Sequence, residues 1–178
     1  GVVRSRCTHS KTLSALTGME IYLKHEWEQA TGSFKERGAR NALMALDAEQ
    51  RKRGVIAASA GNHALALAYH GRELGIPVTV IMPSIAPLTK ITKCQKLDAR
   101  VILEGDTIAD AAAYAKENYV VKGEMLKYIN GFDDFEIISG AGSVGIEMLE
   151  DVRDADAVVI PVGGGGLIAG IALAVKHL

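Results

Sequence analysis

The sequence has no excess of charge of either sign. Twenty Lys and Arg stand against 21 Asp and Glu, a formal net charge of −1. That balance excludes the broad basic surface a nucleic acid requires. The five Tyr, three Phe and one Trp do not interleave with basic clusters either. Cysteine is scarce. Cys7 and Cys94 lie far apart and neither sits in a C-x-x-C pair, so no structural zinc site is expected. This usage fits a reducing, cytoplasmic compartment. The opening "GVVRSRCTHS" lacks the apolar core of a signal peptide and starts abruptly, as if cut from something longer. What is present is ordinary for a globular protein, 48% apolar and 23% charged residues in 178, enough for one domain or two small ones. The one basic run, Arg51-Lys52-Arg53 before Gly54, reads as a helix C-terminus, where positive charge opposes the dipole.

Along the chain a short apolar run, a Gly-containing turn and a helical pattern recur. Residues 55–58 read as a strand, 59–62 as a loop and 63–74 as a helix capped by Gly75. "IPVTVIMP" is a buried strand stopped by Pro83, 88–98 an amphipathic helix, "ARVILEG" a strand, and "TIADAAAYAKEN" an Ala-rich helix. "LKYING" reads as a strand, "GSVGIEMLEDV" as a helix, "AVVIPV" as a buried strand and "GLIAGIALAVKHL" as a core helix. Alternation of this kind predicts an α/β fold, with a parallel-rich sheet flanked by helices. Ligands in such folds bind in the turns after the strands.

Residues 157–175, "AVVIPVGGGGLIAGIALAV", carry no charge and admit three readings. A membrane span has the right length, roughly 20 residues. Pro161 and four central glycines oppose it, since helix propensity falls by about 1 kcal/mol per Gly. A dinucleotide site is a second reading: Gly140, Gly142 and Gly145 match G-x-G-x-x-G, and Gly164, Gly166 and Ala169 match its G-x-G-x-x-A variant. The third is a phosphate cradle. Gly163, Gly164, Gly165 and Gly166 would turn several backbone N–H groups toward one anion, at the positive end of a helix dipole. No Lys-Ser/Thr follows, so this is not a Walker A loop. A tight turn without a ligand also remains open.

In "TGSFKERGARNAL", Ser33-x-x-Glu36 reads as a capping box with Ser33 at the N-cap. Lys35 then sits in the first helical turn, the wrong end for an ammonium, with Arg37 adding like charge. A shift from about 10.4 to roughly 7.5 takes ~4 kcal/mol, of which the dipole supplies about 1; burial must supply the rest. A third segment, "SAGNHA", offers Ser59, Gly61 and Asn62 at a helix start, a loop able to receive a carboxylate or simply to cap the helix.

"GSFKERGA", "SAGNHA" and "GGGGLIAG", in this order and at these separations, resemble the fold-type II pyridoxal-phosphate enzymes (tryptophan synthase β-like). Within them they look like the threonine/serine dehydratase (ammonia-lyase) and serine racemase branch. The likeness extends to "GIPVTVIMP" and "GFDD". The resemblance implies pyridoxal 5′-phosphate as cofactor and Lys35 as the catalytic Schiff-base lysine, with Phe34 packed beside it. It implies Asn62 at the cofactor's 3′-oxygen, Gly163–Gly166 at the phosphate, and Ser59, Ala60, Gly61, Asn62 and His63 around the substrate carboxylate. The implied reaction is β-elimination from L-threonine or L-serine, giving a 2-oxo acid and ammonia. Serine racemases usually carry Ser at the Ala60 position, so alanine favours elimination. A racemase-like enzyme and an inactive, truncated cofactor-binding fragment remain the alternatives. The resemblance further implies two domains, a small one over 39–129 and a partial large one from 1–38 and 130–178. The rest of the large domain and a possible cation site would lie beyond the end of the chain, leaving apolar surface exposed. A homo-oligomer is expected in the full-length form, with no metal, nucleic-acid or membrane partner in this part.

Overall fold

The computed structural model describes residues 1–177. An antiparallel pair, β1 (Cys7–His9) and β2 (Tyr22–Lys24), brackets helix α1 (Lys11–Thr17). A 3₁₀ turn at Glu26–Glu28 leads to α2 (Lys35–Met44) and α3 (Ala48–Arg53). The basic run closes α3, and Gly54, at φ 97°, ends it as expected.

Then comes the parallel sheet. Strands β3 (Val55–Ala58), β4 (Val78–Met82) and β5 (Arg100–Leu103) alternate with α4 (Asn62–Leu74) and α5 (Leu88–Gln95). Helix α6 (Ile108–Ala115) and a π-helical turn at Lys116–Val121 lead to β6 (Lys127–Tyr128). The strand order is β5-β4-β3-β6, and every pairing is parallel. Side chains alternate between two apolar cores, one on each face of the sheet. Val55, Ala57, Val80 and Met82 pack on the α2 and α4 side; Ile56 and Ile81 pack on Ala111 and Ala115 of α6. This two-sided burial is why these strands read as continuous apolar runs. Helices α7 (Phe135–Asp151) and α8 (Gly166–His177) complete the described chain.

Four expectations change. Helix α5 ends at Gln95 rather than 98, and Asp98 turns left-handed at φ 62°. "GAGSVG" is no strand-to-helix turn: it lies inside α7, which removes the first dinucleotide reading. Its glycines are contact points instead. A Cβ on Gly140 would lie 2.5 Å from the Arg37 carbonyl, and one on Gly142 2.9 Å from that of Gly170. "AVVIPV" is not a buried strand. Residues 157–162 pair with no other strand among the described residues, and Val159 is 96% exposed. The run has strand composition, but a ladder needs a neighbour and local sequence supplies none. Ser33, finally, is not a cap. Phe34 occupies the N-cap, the Ser33 hydroxyl is buried without a partner, and Glu36 turns away to the Thr31 N–H and to His70.

Candidate active site

The N-terminus of α2 presents Phe34 and Lys35 to a cavity of about 340 Å³. Its other walls are Phe132, Val162 and the four glycines Gly163–Gly166, where α8 begins. The volume falls at the small end of ligand pockets. Gly163 and Gly165 face open space, and Gly165 holds φ 87°, a conformation that favours glycine. The first-turn N–H groups of a helix have no intrahelical acceptor, and those of α8 front this cavity.

Lys35 Nζ is half-buried, donates to the carbonyl of Gly131 and lies 5.3 Å from the centre of the Phe34 ring. Burial pushes its pKa down from the ordinary lysine value. Arg37 does not contribute, contrary to expectation. Its guanidinium points the other way, into a cluster with Glu26 and Glu147, both at 2.7 Å.

The "SAGNHA" loop sits at the C-terminal end of β3, outside the lining of that cavity. The Ser59 hydroxyl accepts from the Gly61 N–H at 3.2 Å and so braces its own loop. Ala60 is partly buried against the core, and Asn62 is exposed at the first position of α4. His63 is buried, its Nε2 3.2 Å from the Ile129 carbonyl. That acceptor requires the proton on Nε2. Burial is the main reason its pKa falls to about 4, so the ring is neutral.

Three residues missed in the sequence join these pieces: Ile129, Gly131 and Phe132, between β6 and α7. The Ile129 carbonyl receives His63, the Gly131 carbonyl receives Lys35, and Phe132 backs the tetraglycine turn. A Cβ on Gly131 would lie 2.8 Å from the His63 ring, and one on Gly164 2.4 Å from that of Phe132. The available signals were Asn130-Gly131, a turn dipeptide, and Asp134, which caps α7.

The family described as "Pyridoxal-phosphate dependent enzyme" matches residues 1–178. The chain belongs to this family. It is similar to an L-threonine ammonia-lyase of Thermotoga maritima, 48% identical over 177 residues, covering 99% of this chain and 44% of that one. A catabolic L-threonine dehydratase of Escherichia coli K12 is 44% identical, covering 89% and 48%. Among solved structures, the processed form of threonine deaminase isoform 2 from Solanum lycopersicum superposes with a TM-score of 0.95 at 41% identity, covering 99% of this chain and 48% of that one. Maize serine racemase superposes at 0.93 and 35%, covering 99% and 53%. The chain thus spans about half the length of these relatives. The structures place it among α/β fold-type II enzymes.

Pyridoxal phosphate is the cofactor of this pyridoxal-phosphate enzyme family, and the residues present fit it. An amine of lowered basicity shares a cavity with an N–H-rich glycine turn at a helix start. Thr31 Oγ1, Ser33 Oγ and His63 Nδ1 are buried without a partner in the chain. All three flank Lys35, in its preceding loop or beside Gly131, and orphaned buried polar atoms gather at functional sites. Among the described residues no group of three His, Cys, Asp or Glu could hold a metal, and no helix is long and apolar enough to cross a membrane.

Proposed function

We propose that this chain is the cofactor-binding part of an ammonia-lyase that eliminates water from L-threonine, and also from L-serine, yielding a 2-oxo acid and ammonia. One observation carries the reading: Lys35, half-buried and depressed in basicity, shares its cavity with the tetraglycine turn. The 48% identity to an L-threonine ammonia-lyase supports the substrate.

Bound pyridoxal phosphate supplies an electron sink for the bond broken at the substrate Cα. The chain does the rest. Gly163–Gly166 hold the phosphate by backbone N–H groups at the positive end of the α8 dipole. Phe34 packs beside the ring, and the exposed Asn62 amide donates to the 3′-oxygen. Lys35, its basicity lowered by burial, moves the proton at the substrate Cα. Ser59, Ala60, Gly61, Asn62 and His63 form the substrate carboxylate loop, with Ser59 as its brace. Ala60 has no side-chain proton to deliver to the opposite face of Cα. That favours elimination over the racemisation suggested by the maize structure. The division at 38/39 and 129/130, a cytoplasmic location and a homo-oligomeric full-length form belong to the same proposal.

Adding pyridoxal phosphate should produce a visible absorption band that borohydride bleaches, leaving the cofactor covalently fixed on Lys35. No band in folded protein, or a band retained by Lys35→Ala, refutes the assignment. A coupled oxo-acid assay with L-threonine then separates an active lyase from a binding-only fragment.

A further inference from the structure

A second buried cluster lies directly behind Lys35. Glu36 and His70 are both fully buried, and Glu36 accepts from His70 Nε2 at 3.2 Å. The other Glu36 oxygen accepts the Thr31 N–H. His70 Nδ1 faces the Arg40 guanidinium at 3.4 Å, and the Tyr69 ring packs edge-on against the imidazole. The guanidinium can only donate. It therefore assigns the lone pair to Nδ1 and the proton to Nε2, so a directed chain runs from Arg40 through His70 to the Glu36 carboxylate. Burial alone would raise the Glu36 pKa; the bonds from His70 and Thr31 outweigh it and hold the carboxyl below its usual range.

The placement matters more than the charge. Thr31 and Glu36 bracket Phe34 and Lys35, so the Glu36–Thr31 bond closes the loop that presents the amine. The Glu36–His70 bond ties the first turn of α2 to the middle of α4, whose N-terminus carries Asn62 and His63. A buried carboxylate costs several kcal/mol to desolvate, and apolar packing alone could hold two helices together. What packing does not do is fix a hydrogen-bonded register next to one particular residue.

We propose that Glu36 and His70 are positioning residues, whose bond across α2 and α4 holds Lys35 in its half-buried place against Gly131. The proposal rests on Lys35 being the reactive amine. Glu36→Gln is the discriminating change. It keeps the shape and an acceptor for Thr31 but sets an amide donor against the His70 Nε2–H. The alternative tautomer would set His70 against Arg40 instead. The turn loosens and water reaches Lys35.

The test is acetylation of Lys35 by acetic anhydride across the pH range of lysine titration, read by mass spectrometry on the 178-residue chain without added cofactor. The expected result is a reactivity midpoint about one pH unit higher in Glu36→Gln, and about tenfold slower labelling on its low-pH side. His70→Phe, which also strips Glu36 of its donor, should match it. Arg40→Met, at a partly exposed position, should fold and shift the midpoint in the same direction by about half a pH unit, about threefold in low-pH rate. A lower melting temperature with an unchanged Lys35 midpoint would mean a purely structural pair and overturn the proposal. So would an unchanged midpoint in Arg40→Met if the other variants do not fold. Because no cofactor is added, this result stays readable even if the absorption-band test fails.

Discussion

At the scale of single residues, His63 is the most informative side chain after Lys35. The family resemblance implied a place for it at the substrate carboxylate. In the structure its ring is buried, neutral and bonded to the Ile129 carbonyl. A histidine whose pKa is pushed down to about 4 in the fold but lies near 6.5 when unfolded has a definite linkage sign. Between those values the unfolded chain binds more protons, so stability falls as pH falls from about 6.5 toward 4, by up to about 3 kcal/mol. Below that window the carboxylates of Glu36 and Glu147, both lowered by their partners, take over. Urea titrations at several pH values should show this slope, and His63→Gln should flatten it above pH 4.5 while leaving the acid limb in place.

At the scale of elements, the glycines divide into two classes that composition does not separate. Gly163 faces open space and Gly165 a positive φ, as befits a turn that receives a ligand. Gly38, Gly140, Gly142 and Gly170 mark places where two helices approach backbone to backbone. A Cβ on Gly170 would lie 2.3 Å from the Ile138 carbonyl, and one on Gly38 2.7 Å from that of Ile137. Gly170→Ala should therefore cost about 1–3 kcal/mol or more, because it pries α7 from α8. Gly163→Ala should melt within about 0.5 kcal/mol of the parent yet bind pyridoxal phosphate at least tenfold more weakly. Thermal melts and cofactor titrations on the same pair of variants check both.

The same contrast explains what could be read in advance. Strands β3 and β4 and helix α4 were legible because burial on two faces leaves a continuous apolar run, and Gly75 caps at φ 66° as a C-terminal glycine should. The glycines of α7 misled because their role lies in Arg37 and Gly170, distant in sequence. The supposed capping box failed for a similar reason: the Glu36 carboxylate is claimed by a histidine 34 residues on. Lys35, Phe34 and the tetraglycine turn, singled out from the sequence, do line one cavity. The Ile129–Phe132 segment that joins them was not, since it acts through carbonyls and a close approach rather than through chemically distinctive side chains.

At the scale of the whole molecule, the chain is drawn together by Arg37. Only 2% of its side chain is exposed, and it bonds Glu26 of the N-terminal segment and Glu147 of α7 while rooted in α2. Lys24 joins the same cluster through Glu147 at 2.8 Å and Asp151 at 3.1 Å. The N-terminal segment, α2 and a helix 110 residues further on thus meet at one guanidinium. Removing a single partner from a buried pair strands the others, at about 3–5 kcal/mol. Arg37→Met should lower the unfolding free energy by that order in denaturant titrations. Arg4→Met, at an ion pair half in solvent, should leave it nearly unchanged.

The bond from Lys35 to the Gly131 carbonyl spans 96 residues, and this gives the buried amine a history. On a ribosome adding about 5–20 residues per second, Lys35 waits roughly 5–20 s before its acceptor has been made. Throughout that interval it is an ordinary, fully basic, solvated lysine. Its lowered basicity comes from burial, and part of the cover, Phe132 and Gly163–Gly166, lies far along the chain. The setting that lowers the basicity of this amine is thus assembled only after segments far along the chain have been made.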